Sequence, residues 1–199
     1  MKIIGICGKA KSGKDTAASF LMDTNRYRQT AFANRLKECI KLVYDLTDED
    51  VYDIEKKELP HPNLGGKTIR SALQFLGTEG FRTFYDNTWT NVIEREIRQY
   101  IRACAILREV PRDYLITDCR YPNELDAIKE WGGHIIYINR PSLDLSNVKY
   151  QHSSETMVEA ALNPKYKSII IDNNSTLEAF EEKVMLAIDS IPDCVIGLK

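Results

Sequence analysis

The chain lacks the marks of several protein classes. Its five cysteines, at positions 7, 39, 104, 119 and 194, are odd in number and form no Cys-x-x-Cys pair. A disulfide framework or a zinc site is not expected from them, whereas reduced thiols in a cytoplasmic protein are. Histidine is scarce. His61 and His134 have no partner pattern, and His152 with Glu155 is at most half a metal site, with no further ligands nearby. No apolar run reaches membrane-spanning length, and residues 2–7 are too short for a secretory core. The formal charge of −2 lacks the basic surplus of a duplex-binding protein, although it leaves room for a local basic cleft. There is no Asn/Thr-Lys-x-Asp guanine motif and no Asp-x-x-Gly after Asp118, so a nucleotide-dependent switch or ATPase module is not favoured. Internal repeats and low-complexity segments are missing too.

What remains is an ordinary globular composition, 43% apolar and 28% charged over 199 residues, which suits one α/β domain. Residues 2–7 (KIIGIC) read as a buried strand, followed by a Gly/Lys/Ser loop and a helix over 14–22. Further strands are expected at 29–33, 114–117, 134–139 and 168–171. Helices are expected at 34–46, 68–76, 89–107, 122–131 and 176–191. The alternation predicts a central, mostly parallel five-stranded sheet flanked by helices. Two stretches fit it less well and read as insertions, residues 45–110 and 141–167. The acidic, Lys-rich and Pro/Gly-containing stretch 47–66 reads as a mobile surface connection.

Residues 8–16 (GKAKSGKDT) match Gly-x-x-x-x-Gly-Lys and then depart from it. Gly8 and Gly13 allow the chain to turn its N–H groups toward phosphate oxygens, with Lys11 and Ser12 between them. The helix beginning near Lys14 adds its positive end, and Lys14 neutralises the β- and γ-phosphates. Where a hydroxyl residue usually follows the lysine, this chain has Asp15 and then Thr16. Asp15 reads equally as a holder of a magnesium ion's water shell or as a complement to the helix dipole. Thr16 is placed to bond the α-phosphate.

Asp118 ends an apolar strand on the edge where open α/β sheets bind ligands, which makes it a candidate partner for Mg²⁺ or its waters; capping a turn is its other reading. Arg120 and Arg140 follow strand ends on the same edge and are candidates for stabilising a phosphoryl group. Arg70 and Gln74 share a helix face, with Arg82 and Trp89 beyond. Cations, an amide and a ring are what a nucleotide pocket uses, although Trp89 alone reads as core.

The chain resembles the bacteriophage deoxynucleoside monophosphate kinases. The matching segments are GKAKSGKDTAASFL, IRSALQFLGTEGFRTFYDNTW (69–89), ITDCRYPNELDAIKEWGGHIIYINRP (116–141), HSSE (152–155) and IIIDNNSTLEAF (169–180). The second and third are far more specific than the phosphate loop. The resemblance implies a P-loop kinase with a helical monophosphate-binding insertion at 45–110 and a short lid at 141–167. It implies ATP and Mg²⁺ as cosubstrates, the metal held by Asp15 and Asp118 through water, and a deoxynucleoside monophosphate as acceptor. Lys14, Asp118, Arg120 and Arg140 would serve transfer, and residues 8–16 would hold the ATP phosphates. Asn173, Asn174 and Ser175 would lie by adenine, although relatives often carry Asp and Gly at the last two. Lys37 would face the acceptor phosphate, and Arg70, Gln74, Thr78, Glu79, Arg82 and Trp89 would line the monophosphate pocket. Related kinases of dephospho-coenzyme A and phosphomevalonate share the phosphate loop and the Asp-x-Arg strand, but the 70–89 block argues against them. Small nucleotides are the expected partners, with a homodimer left open; polymeric nucleic acid and membranes are not expected. The expected location is cytoplasmic, in the host cell for a phage-encoded chain.

Overall fold

The computed structural model describes residues 1–22, 26–142 and 157–193. The lid positions His152 and Glu155, and Cys194, lie outside the described residues. Strand β1 (Ile3–Cys7) is buried along its whole length. It runs beside β3 (Asp113–Cys119) and β4 (His134–Asn139), both parallel to it. Outside them lie β2 (Tyr27–Thr30) on β3 and β5 (Ile169–Asp172) on β4, again parallel. The sheet order is therefore β2-β3-β1-β4-β5, with the chain reversing its direction of travel at β1. The C-terminal end of β1 is thus the switch point at which such sheets open a crevice. Expectation and structure agree on a five-stranded sheet flanked by helices.

Helices α1 (Lys14–Met22) and α7 (Leu177–Asp189) cover one face. Their Ala17, Leu21, Phe180, Val184 and Ile188 pack with Ile4, Ile6, Leu115, Ile136 and Ile138 in one apolar cluster. Phe180 meets Phe20 edge-on at 5.9 Å, which pins α7 to α1. Burying a side chain of that size contributes about 2–3 kcal/mol, so the helix that carries the phosphate loop has a firm base.

The chain divides into two compact units, Met1–Ala31 with Ile93–Lys199, and Phe32–Val92. The second begins and ends earlier than the insertion expected at 45–110. It contains α2 (Asn34–Tyr44), α3 (Asp48–Tyr52) and α4 (Ile69–Gln74), and α5 (Thr88–Leu107) starts in it.

Three local expectations need correction. Strand β2 begins earlier than expected, because Tyr27 and Thr30 are its buried positions and the polar Arg28 and Gln29 between them hide its pattern. The stretch 47–66 is not a plain connection. Thr47 accepts from Asp50 N at 3.2 Å while the Asp50 carboxylate accepts from Thr47 N at 2.8 Å, a reciprocal cap that starts α3. The helix expected over 68–76 is α4 with Thr68 as its N-cap, and it runs on as a π-helix over Phe75–Arg82.

Candidate active site

The loop after β1 has the backbone that its glycines make possible. Gly8 has φ +146°, Lys11 +61° and Gly13 +103°. A Cβ at Gly8 would lie 2.5 Å from the Ile138 carbonyl oxygen, and one at Gly13 would collide with the Asn173 amide. Helix α1 starts at Lys14, so its first N–H groups point into the loop. Lys14 is nearly buried, and its ammonium donates to Gly8 O at 2.8 Å and Lys9 O at 2.7 Å, folding it back over the loop. The Ser12 hydroxyl is buried and has no hydrogen-bond partner among the described residues. An orphaned hydroxyl beside strained backbone and a helix N-terminus is chemistry that a phosphate oxygen would complete. Asp15 is exposed and Thr16 half-buried on the first turn of α1.

Three elements brace this loop. Asn173, just past β5, donates its side-chain amide to Ser12 O at 2.8 Å, while its N–H donates to Asn139 O at 2.7 Å. Arg140, past β4, donates to Lys11 O at 3.3 Å. The Lys9 ammonium lies 2.6 Å from a Glu159 carboxylate oxygen. Beside them a cavity of about 170 Å³ is lined by Lys9, Ser12, Asn139, Arg140 and Glu159, among others. Asn173 thus holds loop backbone, whereas Asn174 and Ser175 are exposed.

Asp118 and Arg120 owe their setting to an irregular strand end. Gly5 pairs with Ile116, but Cys7 pairs with Cys119, so β3 spends one more residue than β1 across that step. The extra residue falls at Thr117–Asp118, a bulge of the kind that re-aims a side chain beside a site. Asp118 and Arg120 are both half-buried. Beyond the bulge, the Glu124 carboxylate accepts from the N–H groups of Arg120 at 2.7 Å and Tyr121 at 3.1 Å, both at its Oε2. Burial, with Cys7 alongside, pushes the Cys119 thiol well up, so that thiol under the site stays neutral.

Among the described residues no three His, Cys, Asp or Glu gather as a metal cluster. The donor set still fits Mg²⁺, which keeps much of its water and takes one or two carboxylates together with phosphate oxygens. Asp15, exposed on α1, and Asp118, half-buried at the bulge, are the carboxylates expected to hold it.

The second unit carries the residues expected for the acceptor. Lys37 on α2 lies 4.2 Å from the centre of the Tyr52 ring. Arg70 pairs with Glu58 at 2.6 Å. Gln74, Thr78 and Arg82 are half-buried and Glu79 is exposed. Trp89 is 5% exposed, its indole N–H donates to Gly77 O at 3.1 Å, and its ring meets Phe81 edge-on at 5.2 Å. It therefore supports the π-helical segment from within. Sequence reasoning missed Glu124, Glu159 and Tyr52. Glu124 alone had a signal, an acidic residue two places after Pro122 at a helix start.

A glycine-bent loop between strand and helix, at the switch point of a parallel sheet, defines a P-loop phosphate-binding domain. Residues 65–184 match the family described as deoxynucleotide monophosphate kinase. A protein of Acanthamoeba polyphaga mimivirus, provisionally named a deoxynucleotide monophosphate kinase, is 33% identical over 195 residues, covering 96% of this chain and 97% of that one. The chain belongs to the deoxynucleotide monophosphate kinase family, a family of P-loop kinases. Among solved structures, a dephospho-CoA kinase from Campylobacter jejuni aligns at TM-score 0.48 and 17% identity over 95% of this chain and 96% of that one. A shikimate kinase from Bacteroides thetaiotaomicron aligns at TM-score 0.47 and 13% identity over 94% of this chain and 98% of that one. No helix among the described residues is long and apolar enough to cross a membrane.

Proposed function

We propose that the protein transfers the γ-phosphoryl group of ATP to the 5′-phosphate of a deoxynucleoside monophosphate, releasing ADP and the diphosphate. The observation that carries this reading is the convergence on one sheet edge of the Lys14 loop, the bulged Asp118–Arg120 strand end and Arg140. The acceptor oxygen is already anionic, so no general base is needed. What the chain must supply is position and fixed positive charge. Residues 8–16 hold the ATP phosphates, with Lys14 on the β- and γ-oxygens. Arg120 and Arg140 stabilise the charge on the group in flight. Asp15 and Asp118 would hold Mg²⁺ through its waters, and the bound ion would supply charge neutralisation at the phosphate oxygens. Lys37, Arg70, Gln74, Thr78, Glu79 and Arg82 bind the acceptor, while Trp89 buttresses the π-helical segment that carries Thr78, Glu79 and Arg82.

The test is turnover of ATP and Mg²⁺ with each deoxynucleoside monophosphate in separate reactions, scored for diphosphate. Dephospho-coenzyme A and phosphomevalonate run in parallel as competing acceptors. Turnover with either of those and with no deoxynucleotide would overturn the reading, as would slow ATP hydrolysis that no acceptor stimulates.

A further inference from the structure

We infer that Glu124 is a positioning residue for phosphoryl transfer, fixing the turn that presents Arg120; this rests on the proposed function. Glu124 is the third residue of α6 (Pro122–Glu130), and it is only 2% exposed. A carboxylate out of water is unfavourable unless its oxygens are hydrogen-bonded. Here Oε2 takes the N–H of Tyr121, as a capping carboxylate does, and also reaches one residue further back to the N–H of Arg120 at 2.7 Å. That second bond is the informative one. The ladder to β1 resumes after the bulge and ends with Cys119 on Cys7, so backbone pairing does not set the path of Arg120 and Tyr121 beyond it. Two charge-assisted bonds from a buried, packed carboxylate set it instead. Asp118 precedes the paired Cys119, so these bonds act on the far side of it and orient Arg120.

An ordinary helix cap and a positioning residue differ in what they change. Loss of a cap lowers stability and leaves turnover of the folded enzyme intact. The test compares wild type, Glu124→Gln, Glu124→Asp, Arg120→Ala and the Glu124→Gln/Arg120→Ala double variant. Gln keeps the volume and one accepting oxygen but removes the charge, while Asp keeps the charge and falls short of the reach. At saturating ATP and deoxynucleotide, each single Glu124 variant is expected to lose about tenfold or more in kcat, with KM for ATP within about threefold of wild type. In the Arg120→Ala background, Glu124→Gln should change kcat by less than about twofold, because the two act as a unit. Amide hydrogen exchange at Arg120 and Tyr121 should quicken about tenfold or more in Glu124→Gln, while the later turns of α6 keep their protection.

Wild-type kcat in the folded Glu124 variants overturns the inference. So does a full additional loss in the Arg120→Ala background, unchanged exchange at the two amides, or failure of both Glu124 variants to fold at low temperature, which marks a purely structural role. Absence of wild-type turnover with every acceptor sinks the proposed function separately, and the exchange result then decides this inference alone.

Discussion

Replacing Gly8 by alanine tests the loop geometry directly. At φ +146° an L-residue is strained by about 1–3 kcal/mol. The new Cβ would also sit 2.5 Å from Ile138 O and 2.6 Å from Ser12 Oγ. The serine hydroxyl can turn away, but the carbonyl belongs to β4 and cannot, so overpacking adds about 1–3 kcal/mol. Together these predict a loss of about 2–6 kcal/mol, or about 5–20 °C in Tm for a chain of this size. Gly65→Ala is the control. Gly65 also has positive φ, +63°, but nothing lies within 4 Å of its Cβ position, so only the strain of about 1–2 kcal/mol remains. Thermal unfolding of both variants, with ATP affinity by calorimetry, separates clash from strain. Gly8→Ala should also weaken ATP by more than about tenfold, because the loop can relieve the clash only by moving its N–H groups. A Gly8→Ala protein that melts no lower than Gly65→Ala and binds ATP as wild type would refute the cradle.

Three further perturbations follow from the same geometry. Lys14→Ala should cut turnover by about 100-fold or more, with Tm changed by only a few degrees; near-normal kcat would remove Lys14 from the mechanism. Asn173→Ala removes the donor to Ser12 O and should weaken ATP by about tenfold with KM for the acceptor unchanged, so an acceptor-specific defect would show the brace to be misread. Tyr114 is fully buried, its hydroxyl makes no well-formed hydrogen bond among the described residues although Arg28 lies beside it, and burial raises its pKa to about 12. Tyr114→Phe should therefore keep stability at pH 7 or raise it by about 1 kcal/mol. A phenol with a folded pKa above its unfolded value of about 10 contributes stability that is present below pH 10 and lost as pH rises toward 12. Urea unfolding from pH 8 to 11.5 should show a shallower alkaline loss in the Phe variant, and an identical slope would contradict this account.

The parts of the site that were legible are those whose physics is local. The N–H groups of the cradle all come from residues 8–16, a single run whose turns sit at Gly8, Lys11 and Gly13. The sheet was legible because buried parallel strands read as unbroken apolar runs, as in IIGIC and HIIYIN. Edge strand β2 was blurred, since only Tyr27 and Thr30 of its residues are buried. What stayed hidden depends on distant partners. The bulge at Asp118 exists only relative to β1, and the Asn173 brace joins residues at opposite ends of the chain. The π-helix lies between these cases. Arg70 and Gln74, four apart, read as one helix face, and Thr78 and Arg82 continue the interval of four. In a pure α-helix each such step turns the face by about 40°, so the last of them would be far from the first. A π-helix has more residues per turn, and its steps of four rotate the opposite way. The run over Phe75–Arg82 therefore brings Thr78 and Arg82 back toward the line of Arg70 and Gln74. An α-helical stripe mixes steps of three and four. The series of fours was not read that way because a helix was expected only over 68–76, and Trp89, which donates to Gly77 O inside the wider helix, ties that segment to α5 from a distance of twelve residues.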